Sequence, residues 1–286
     1  MRPRRGFDPL ATITATSVSS VDVPCPSATM VVWTSAWLHG AAASDDVLDA
    51  AQAWAEVHQV CAADAETATR LELPEPGETP AGLALLLAAV RRAGGGSGGL
   101  ALPVAGDVRG LDGASEFSRH ALRRGEAAVF PDARLGLVPE RHVEGMLRWT
   151  IHQIGELAPA EHVPVGEAEH GMSSAMREAA STLTELDVSR RRPGVRGEIA
   201  ESVSARPQPS WPEGVPQRCL RVLQRSTELE AILRVAADDA PGGAVSASAD
   251  RVRSQALNPL FESVRTARRA AVDEMVRVLR QRAEQH

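Results

Sequence analysis

The chain has 286 residues, and its 37 acidic and 31 basic side chains give a formal charge of −6 at neutral pH. All the basic residues are arginine, and the missing lysine amine excludes Schiff-base, pyridoxal-phosphate and phosphate-loop lysine chemistry. Neither half of the chain carries the basic excess that sequence-independent nucleic-acid binding requires, so we expect no nucleic-acid partner.

The cysteines and the apolar runs indicate a cytoplasmic protein. Cys25, Cys61 and Cys219 lie far apart and form no disulfide framework, so we expect reduced thiols. The longest apolar run, residues 83–90, is too short to cross a membrane. Residues 1–29 begin with arginines and then become rich in Ser, Thr and Pro, which predicts a disordered extension before a folded part that opens at Met30.

From Met30 to Ile154, short β-branched runs alternate with helical periods. This alternation predicts a three-layer α/β domain over residues 30–154, with a mostly parallel sheet and an antiparallel edge. Both faces of the first run are apolar, as in a buried parallel strand. The predicted strands are 31–38, 58–62, 100–104, 126–130, and an antiparallel pair of 135–139 with 146–154; the predicted helices start at Ser44, Pro80 and Ser115.

From about Val165 the apolar residues recur at helical spacing almost throughout. The pattern predicts a helical bundle over residues 165–286, joined by short breaker segments. Its last helix is predicted to begin with Asn258 as the cap and Pro259 at the first position.

Three segments resemble a family of uncharacterised proteins from high-GC actinobacteria. They are MVVWTSAWLHG at 30–40, LALPVAGDVRGL at 100–111 and PGGAVSA at 241–247. The resemblance covers most of residues 30–286 but brings no catalytic residue with it. One member of this lineage-restricted group is associated with a chromosome-partitioning ATPase, so the resemblance also implies an accessory role for that ATPase as an alternative.

The candidate ligand site lies where the first and third predicted strands end. Ligands settle at the carboxyl ends of strands in open α/β sheets, beside helix amino ends. His39 and Ser44 follow the first predicted strand, and Asp107 and Arg109 follow the third. If these strands are neighbours, the four residues form an anion site in which His39 with Asp107 can also act as an acid or base. The alternative is a tight glycine turn with Asp107 bonded to its own backbone.

Other motifs favour structural roles. The run GGGSGG at 94–99 follows a helix and lacks a lysine, which favours a flexible linker over a phosphate loop. Glu167 and His170 have the spacing of a di-iron motif, but no second helix supplies the matching element, so we expect no metal and no cofactor. The arginines of the last helix are expected on a solvated face, with a patch for an acidic partner as the alternative.

Two functions remain open. The first is a non-catalytic interaction or regulatory factor, in which the helical region presents arginine-bearing helices to a protein partner. The second is an enzyme or sensor that binds a small phosphorylated or carboxylated ligand at His39, Ser44, Asp107 and Arg109. We favour the first, because no complete catalytic constellation can be assembled from the motifs.

Overall fold

The computed structural model of the chain describes residues 25–108, 111–112, 114–157, 161–185, 194–238 and 247–285. Helices and strands alternate up to the fifth strand, and only helices follow, so the predicted order of an α/β region and a helical region is confirmed. The elements are α1 Pro26–Leu38, α2 Ser44–Gln52, β1 Val57–Ala62, α3 Ala65–Leu71, α4 Leu83–Arg92, β2 Gly99–Ala101, α5 Glu116–Arg124, β3 Ala127–Phe130, β4 Leu135–Val143, β5 Met146–Gln153, α6 Val165–Glu185, α7 Val195–Ser204, α8 Gln217–Asp238 and α9 Ala247–Ala283.

The first predicted strand is a helix, α1, and this prediction was wrong. Nearly all of α1 is buried, with small polar side chains among the apolar ones, so the helix has no solvent-facing side and no apolar stripe at helical spacing. A short run that is apolar all round cannot be assigned to strand or helix by its period. The folded part also starts before Met30, because Pro26 opens the helix and Ser27 is fully buried. Residues 1–24 lie outside the described residues.

The sheet is mixed, and its strand order is β1-β5-β4-β3-β2. Only β1 and β5 run parallel, whereas the β5/β4, β4/β3 and β3/β2 pairs are antiparallel, which corrects the mostly parallel sheet of the prediction. The antiparallel pairing of β4 with β5 is confirmed, but the pair lies inside the sheet and not at its edge. Short turns join β3 to β4 and β4 to β5, and such connections produce antiparallel hairpins.

Helices cover both faces of the sheet, as predicted for three layers. Because side chains alternate along a strand, Leu137 and Val138 of β4 point to opposite faces. Leu137 belongs to the larger core, which contains α1, while Val138 belongs to a smaller core with Phe117 of α5. Gly136 leaves room for the Phe117 ring, which a Cβ at that position would strike.

Helix α9 connects the helical region with the sheet region. It packs on α6 and α8, and also on α1 and β2. Met275 of α9 and Val31 of α1 are both fully buried and belong to one continuous core. The prediction that this helix begins at Asn258 was wrong, because α9 starts at Ala247 and continues through Pro259. None of the helices in the described part of the chain combines the length and apolar character that crossing a bilayer requires.

Candidate functional site

The predicted site residues do not form one cluster. His39 lies at the end of α1, where its Nε2 is 2.9 Å from the Ser97 hydroxyl. Asp107 instead accepts a hydrogen bond of 2.7 Å from Arg265 of α9. His39 lies near Arg280 of α9: burial lowers the pKa of the imidazole, and the positive charge of Arg280 lowers it further. Arg280 is 15 positions beyond Arg265 on the same helix. At 1.5 Å per residue, these two arginines are about 22 Å apart, so His39 and Asp107 occupy different places.

The two other predicted residues do not complete the site. Ser44 is the first residue of α2 and not its cap: Ala43 takes the cap position, and the Asp46 carboxylate accepts its backbone N–H at 2.8 Å. Arg109 lies outside the described residues. The topological argument for the site fails because the segment before His39 is a helix, so no parallel strand ends there. Ligand binding by these residues stays a prediction.

The glycine run is packed in place, which corrects its interpretation as a flexible linker. A Cβ on Gly95 would lie 2.6 Å from a Val90 methyl, and one on Gly98 would lie 2.8 Å from the Phe130 ring. The backbone N–H of Gly98 also donates to the Ser35 hydroxyl at 2.9 Å. The glycines are therefore needed for close approach of the chain to α4, β3 and the end of α1.

The pair of His39 and Ser97 is the nearest arrangement to a nucleophile and its base. Burial lowers the pKa of His39, and Arg280 lowers it further against the opposing charges of Glu284 and Asp132. The imidazole is therefore neutral near pH 7 and able to accept a proton. A reactive serine also needs a third group that orients the base. Among the described residues, no side chain bonds the Nδ1 of His39.

A cleft of about 410 Å³ lies next to the glycine run and contains three arginines. We call it the arginine cleft. It lies between the ends of α3 and α4 and the β3–β4 turn, and it shares Asp132 with the glycine run, since a Cβ on Gly96 would strike that carboxylate. Its lining residues are Arg70, Leu71, Glu72, Arg92, Ala93, Asp132, Ala133 and Arg134.

A buried carboxylate caps α1. Glu126 directly precedes β3, and its Oε2 accepts the backbone N–H of Ser27, in the first turn of α1, at 2.9 Å. Burial raises the pKa of Glu126 to about 7, and the hydrogen bonds from Ser27 and Cys25 and the charge of Arg268 only partly oppose that rise. The role of Glu126 could not be predicted from the sequence, because a lone glutamate at the start of a short strand gives no periodic signal.

A second buried group of charges joins α8 and α9. Arg268 of α9 is 5% exposed, and its Nη2 lies 2.9 Å from the Glu230 carboxylate of α8. Arg206 approaches the same carboxylate at 3.0 Å. Burial disfavours the charged form of Arg268, but the attraction of Glu230 raises the pKa of the guanidinium above its usual value. This ion group is internal, and its members stabilise one another.

Two histidines meet on the α5 side of the sheet. The Nδ1 of His120 is 3.0 Å from the Nε2 of His152, and one ring donates while the other accepts. Burial lowers the pKa of each to about 4, and neighbouring positive charge adds to the effect. Both are therefore neutral near pH 7. Within the described ranges no three His, Cys, Asp or Glu side chains come together to hold a metal ion, and Glu167 and His170 are exposed on α6.

Of the six arginines of α9 whose side chains the structure describes, three face inward, contrary to the expected solvated face, and three are more exposed, as expected: Arg265, Arg268 and Arg269 against Arg277, Arg280 and Arg282. Arg265 binds Asp107 and the Leu102 carbonyl, and Arg269 donates to the Glu161 carbonyl. On α8, the side chains of Arg221 and Arg225 form no hydrogen bond or ion pair with the described residues.

Residues 27–164 match the N-terminal domain of the Rv1486c-like protein family, and residues 166–269 match its C-terminal domain. The chain belongs to this family. Uncharacterized proteins of Mycobacterium tuberculosis (strain H37Rv), Mycobacterium leprae and Mycobacterium avium are 35%, 32% and 32% identical over 280, 287 and 295 residues. Each alignment covers 87% of this chain and 96% of the relative.

These family members confirm the actinobacterial resemblance, and their names assign no activity to the family. No solved structure matches the chain. The division of the family into two domains falls between residues 164 and 166, at the start of α6. The assignment of residues 30–154 and 165–286 to two domains stays a prediction.

Proposed function

We propose that the protein is a non-catalytic interaction factor and that the outward face of α8 binds an acidic segment of a protein partner. The observation that carries the proposal is the side-chain pattern of α8. Arg221, Arg225 and Ile232 fall within about 40° of one another around the helix, because successive residues turn by about 100°. Ile232 is 42% exposed, which is unusual for a large apolar side chain in this protein.

Charge favours an acidic partner. Neither Arg221 nor Arg225 forms an ion pair with the described residues, so their guanidinium groups are available to carboxylates. The apolar Ile232 follows Arg225 by two helical turns on the same side. An amphipathic segment with acidic residues and one apolar anchor complements this face.

Two buried ionisable groups with shifted pKa values have structural partners, which supports a non-catalytic role. Glu126 caps α1, and Arg268 is bound by Glu230. Burial raises the pKa of the Cys25 thiol, and it raises that of Cys219 to about 11, so both thiols are protonated and weakly nucleophilic near pH 7. The reduced cysteines are also our reason for inferring a cytoplasmic location.

The test uses a photo-crosslinking amino acid at Gln224, which is exposed on α8, in cells that produce the protein naturally. A matched control carries the same group at exposed Arg141 on β4. We expect a crosslink to one acidic protein from position 224 only, and we expect R221E/R225E to abolish it. Equal crosslinks from both positions, no crosslink, or a crosslink that survives R221E/R225E would contradict the proposal.

The second candidate is an enzyme or sensor, and the contact between Ser97 and His39 favours it. A fluorophosphonate probe distinguishes the two functions, because it labels activated serines. Our proposal predicts no labelling of Ser97, whereas labelling that H39A removes would favour the enzyme. The accessory role for a chromosome-partitioning ATPase stays a prediction, since the names of the relatives do not address it.

A further inference from the structure

The arginine cleft has a chemistry that the interaction role does not use. Each of its three walls supplies one guanidinium: Arg70 in the last turn of α3, Arg92 at the end of α4 and Arg134 in the β3–β4 turn. The carboxylates in the lining are Glu72 and Asp132, so the lining carries one more positive than negative charge. The volume of about 410 Å³ suits a small molecule.

One arginine of the cleft is held by the protein, and the other two are available. The Nη2 of Arg92 donates to the Leu71 carbonyl at 2.6 Å, and its Nη1 lies 3.1 Å from Glu72. These contacts fix the direction of the guanidinium before any ligand arrives. The side chains of Arg70 and Arg134 are exposed, and their guanidinium groups make no hydrogen bond or ion pair with the described residues. Their donors can therefore turn toward a ligand.

Backbone strain is concentrated at the same cleft. In the described ranges, the non-glycine residues with positive φ are Glu72 at 53° and Arg134 at 54°, and both line the cleft. Glycine or asparagine takes this left-handed conformation at lower cost. Two backbone hydrogen bonds hold Arg134 in this conformation: its N–H donates to the Pro131 carbonyl, and its carbonyl accepts from the N–H of Ile154. Strained residues of this kind cluster at ligand sites.

We propose that the arginine cleft binds a small anionic ligand through a phosphate or carboxylate group. Arg134 and Arg70 grip the oxyanion from two sides, and Arg92 adds a pre-oriented positive charge. The cleft is separate from the outward face of α8. Ligand binding and partner binding are therefore independent, and either can fail without the other.

The test is isothermal titration calorimetry of the full chain, with pyrophosphate in one titration and citrate in another. We expect one of the two anions to bind, and R134A or R70A to weaken that binding at least about tenfold, because each removes a charge-assisted contact. The control R141A removes an exposed arginine on β4, outside the cleft, and leaves the binding unchanged. Added salt weakens the interaction.

The two anions separate the possible ligand classes. Binding of pyrophosphate alone assigns the cleft to phosphorylated ligands, and binding of citrate alone assigns it to carboxylated ones. The proposal is overturned if neither anion binds up to roughly 10 mM, or if R70A and R134A bind as tightly as the natural sequence. Circular dichroism of both variants checks that the fold is retained.

Discussion

The two faces of the sheet are covered in different ways. On one face, α5 packs over a small core that includes Phe117 and Val138, and this core draws only on the N-terminal region. On the other face, α1 packs on the sheet and α9 packs on α1, so one core continues into the C-terminal helices. The larger core also borders an ion group at the contact between α8 and α9, where Arg268 pairs with Glu230. The difference indicates that the C-terminal helices complete the fold of the sheet region instead of standing beside it.

The largest expected effect follows from removing Glu230. In E230M, the buried Arg268 and the partly buried Arg206 lose the carboxylate that both approach within 3.0 Å. An uncompensated buried charge costs about 3–5 kcal/mol, so we expect the free energy of unfolding to fall by that amount. Urea denaturation measures it.

A triple variant tests whether the loss comes from the orphaned charges. R206L/E230M/R268M replaces the whole ion group with apolar side chains, and such replacements are often close to neutral. We expect the triple variant to be more stable than E230M alone. A triple variant less stable than E230M would show that the orphaned charges are not the cause of the loss, and that the arginine side chains stabilise the fold by other contacts.

Glu126 gives the larger core a pH dependence. Its pKa is raised from 4.5 to about 7 in the folded protein. The folded state therefore keeps a proton that the unfolded chain releases, so Glu126 by itself lowers the free energy of unfolding as pH rises from about 4.5 to 7, by at most about 3 kcal/mol. His120 and His152 act in the opposite sense, because burial lowers their pKa to about 4 and the unfolded chain keeps their protons to higher pH.

The variant E126Q isolates this effect, because glutamine does not titrate but can still accept the Ser27 N–H. We expect the stability of E126Q relative to the natural sequence to rise between pH 4.5 and 7. The decline from Asp273, whose pKa burial raises to about 6, and the opposing rise from His120 and His152 are common to both proteins and cancel in this comparison. Equal pH profiles for the two proteins would show that Glu126 is not the titrating group.

The smaller core can be perturbed alone. In G136A, the new methyl group strikes the Phe117 ring, and overpacking of this kind costs about 1–3 kcal/mol. Hydrogen exchange should accelerate more in α5 and β4, which also open locally, than in α9. Adding F117L should recover part of the loss. An acceleration as large in α9 as in α5 would mean that the two cores are not separate.

The smallest effect concerns α3, whose first turn is capped by Asp64. Its carboxylate accepts the Thr67 N–H at 2.7 Å, and the same hydrogen bond lowers the pKa of Asp64. D64A should cost about 1 kcal/mol. Thermal unfolding measures the loss, and D64N, which keeps a capping acceptor, should lose less. A loss as large in D64N as in D64A would exclude capping as the cause.

The sequence predicted elements whose pattern is local. The helix predicted from Ser115 is α5, which starts one residue later with Ser115 as its cap, and the β4–β5 hairpin lies close to its predicted bounds. Helix α1 was missed because complete burial erases the period that distinguishes a helix from a strand. Helix α3 was missed although Asp64 is a recognisable cap, because the helix has only seven residues.

The site was harder to predict because distant segments build it. The contact of His39 with Ser97 spans 58 positions, and the ion pair of Asp107 with Arg265 spans 158. Spacing along the chain carries no information about such pairs. The predicted site assumed that two neighbouring parallel strands end beside each other, the first just before His39 and the third just before Asp107. The first of these segments is helix α1, so the fold gives no reason for His39 and Asp107 to meet.

The most direct test of a shared core is chemical denaturation of the full chain, followed in parallel by hydrogen exchange at Trp149 in the sheet and at Met275 in α9. Both side chains belong to the larger core. We predict that the two positions lose protection at the same denaturant concentration, in one cooperative transition. Loss of protection at Met275 while Trp149 remains protected would show that the sheet region folds without the C-terminal helices, and would contradict this account.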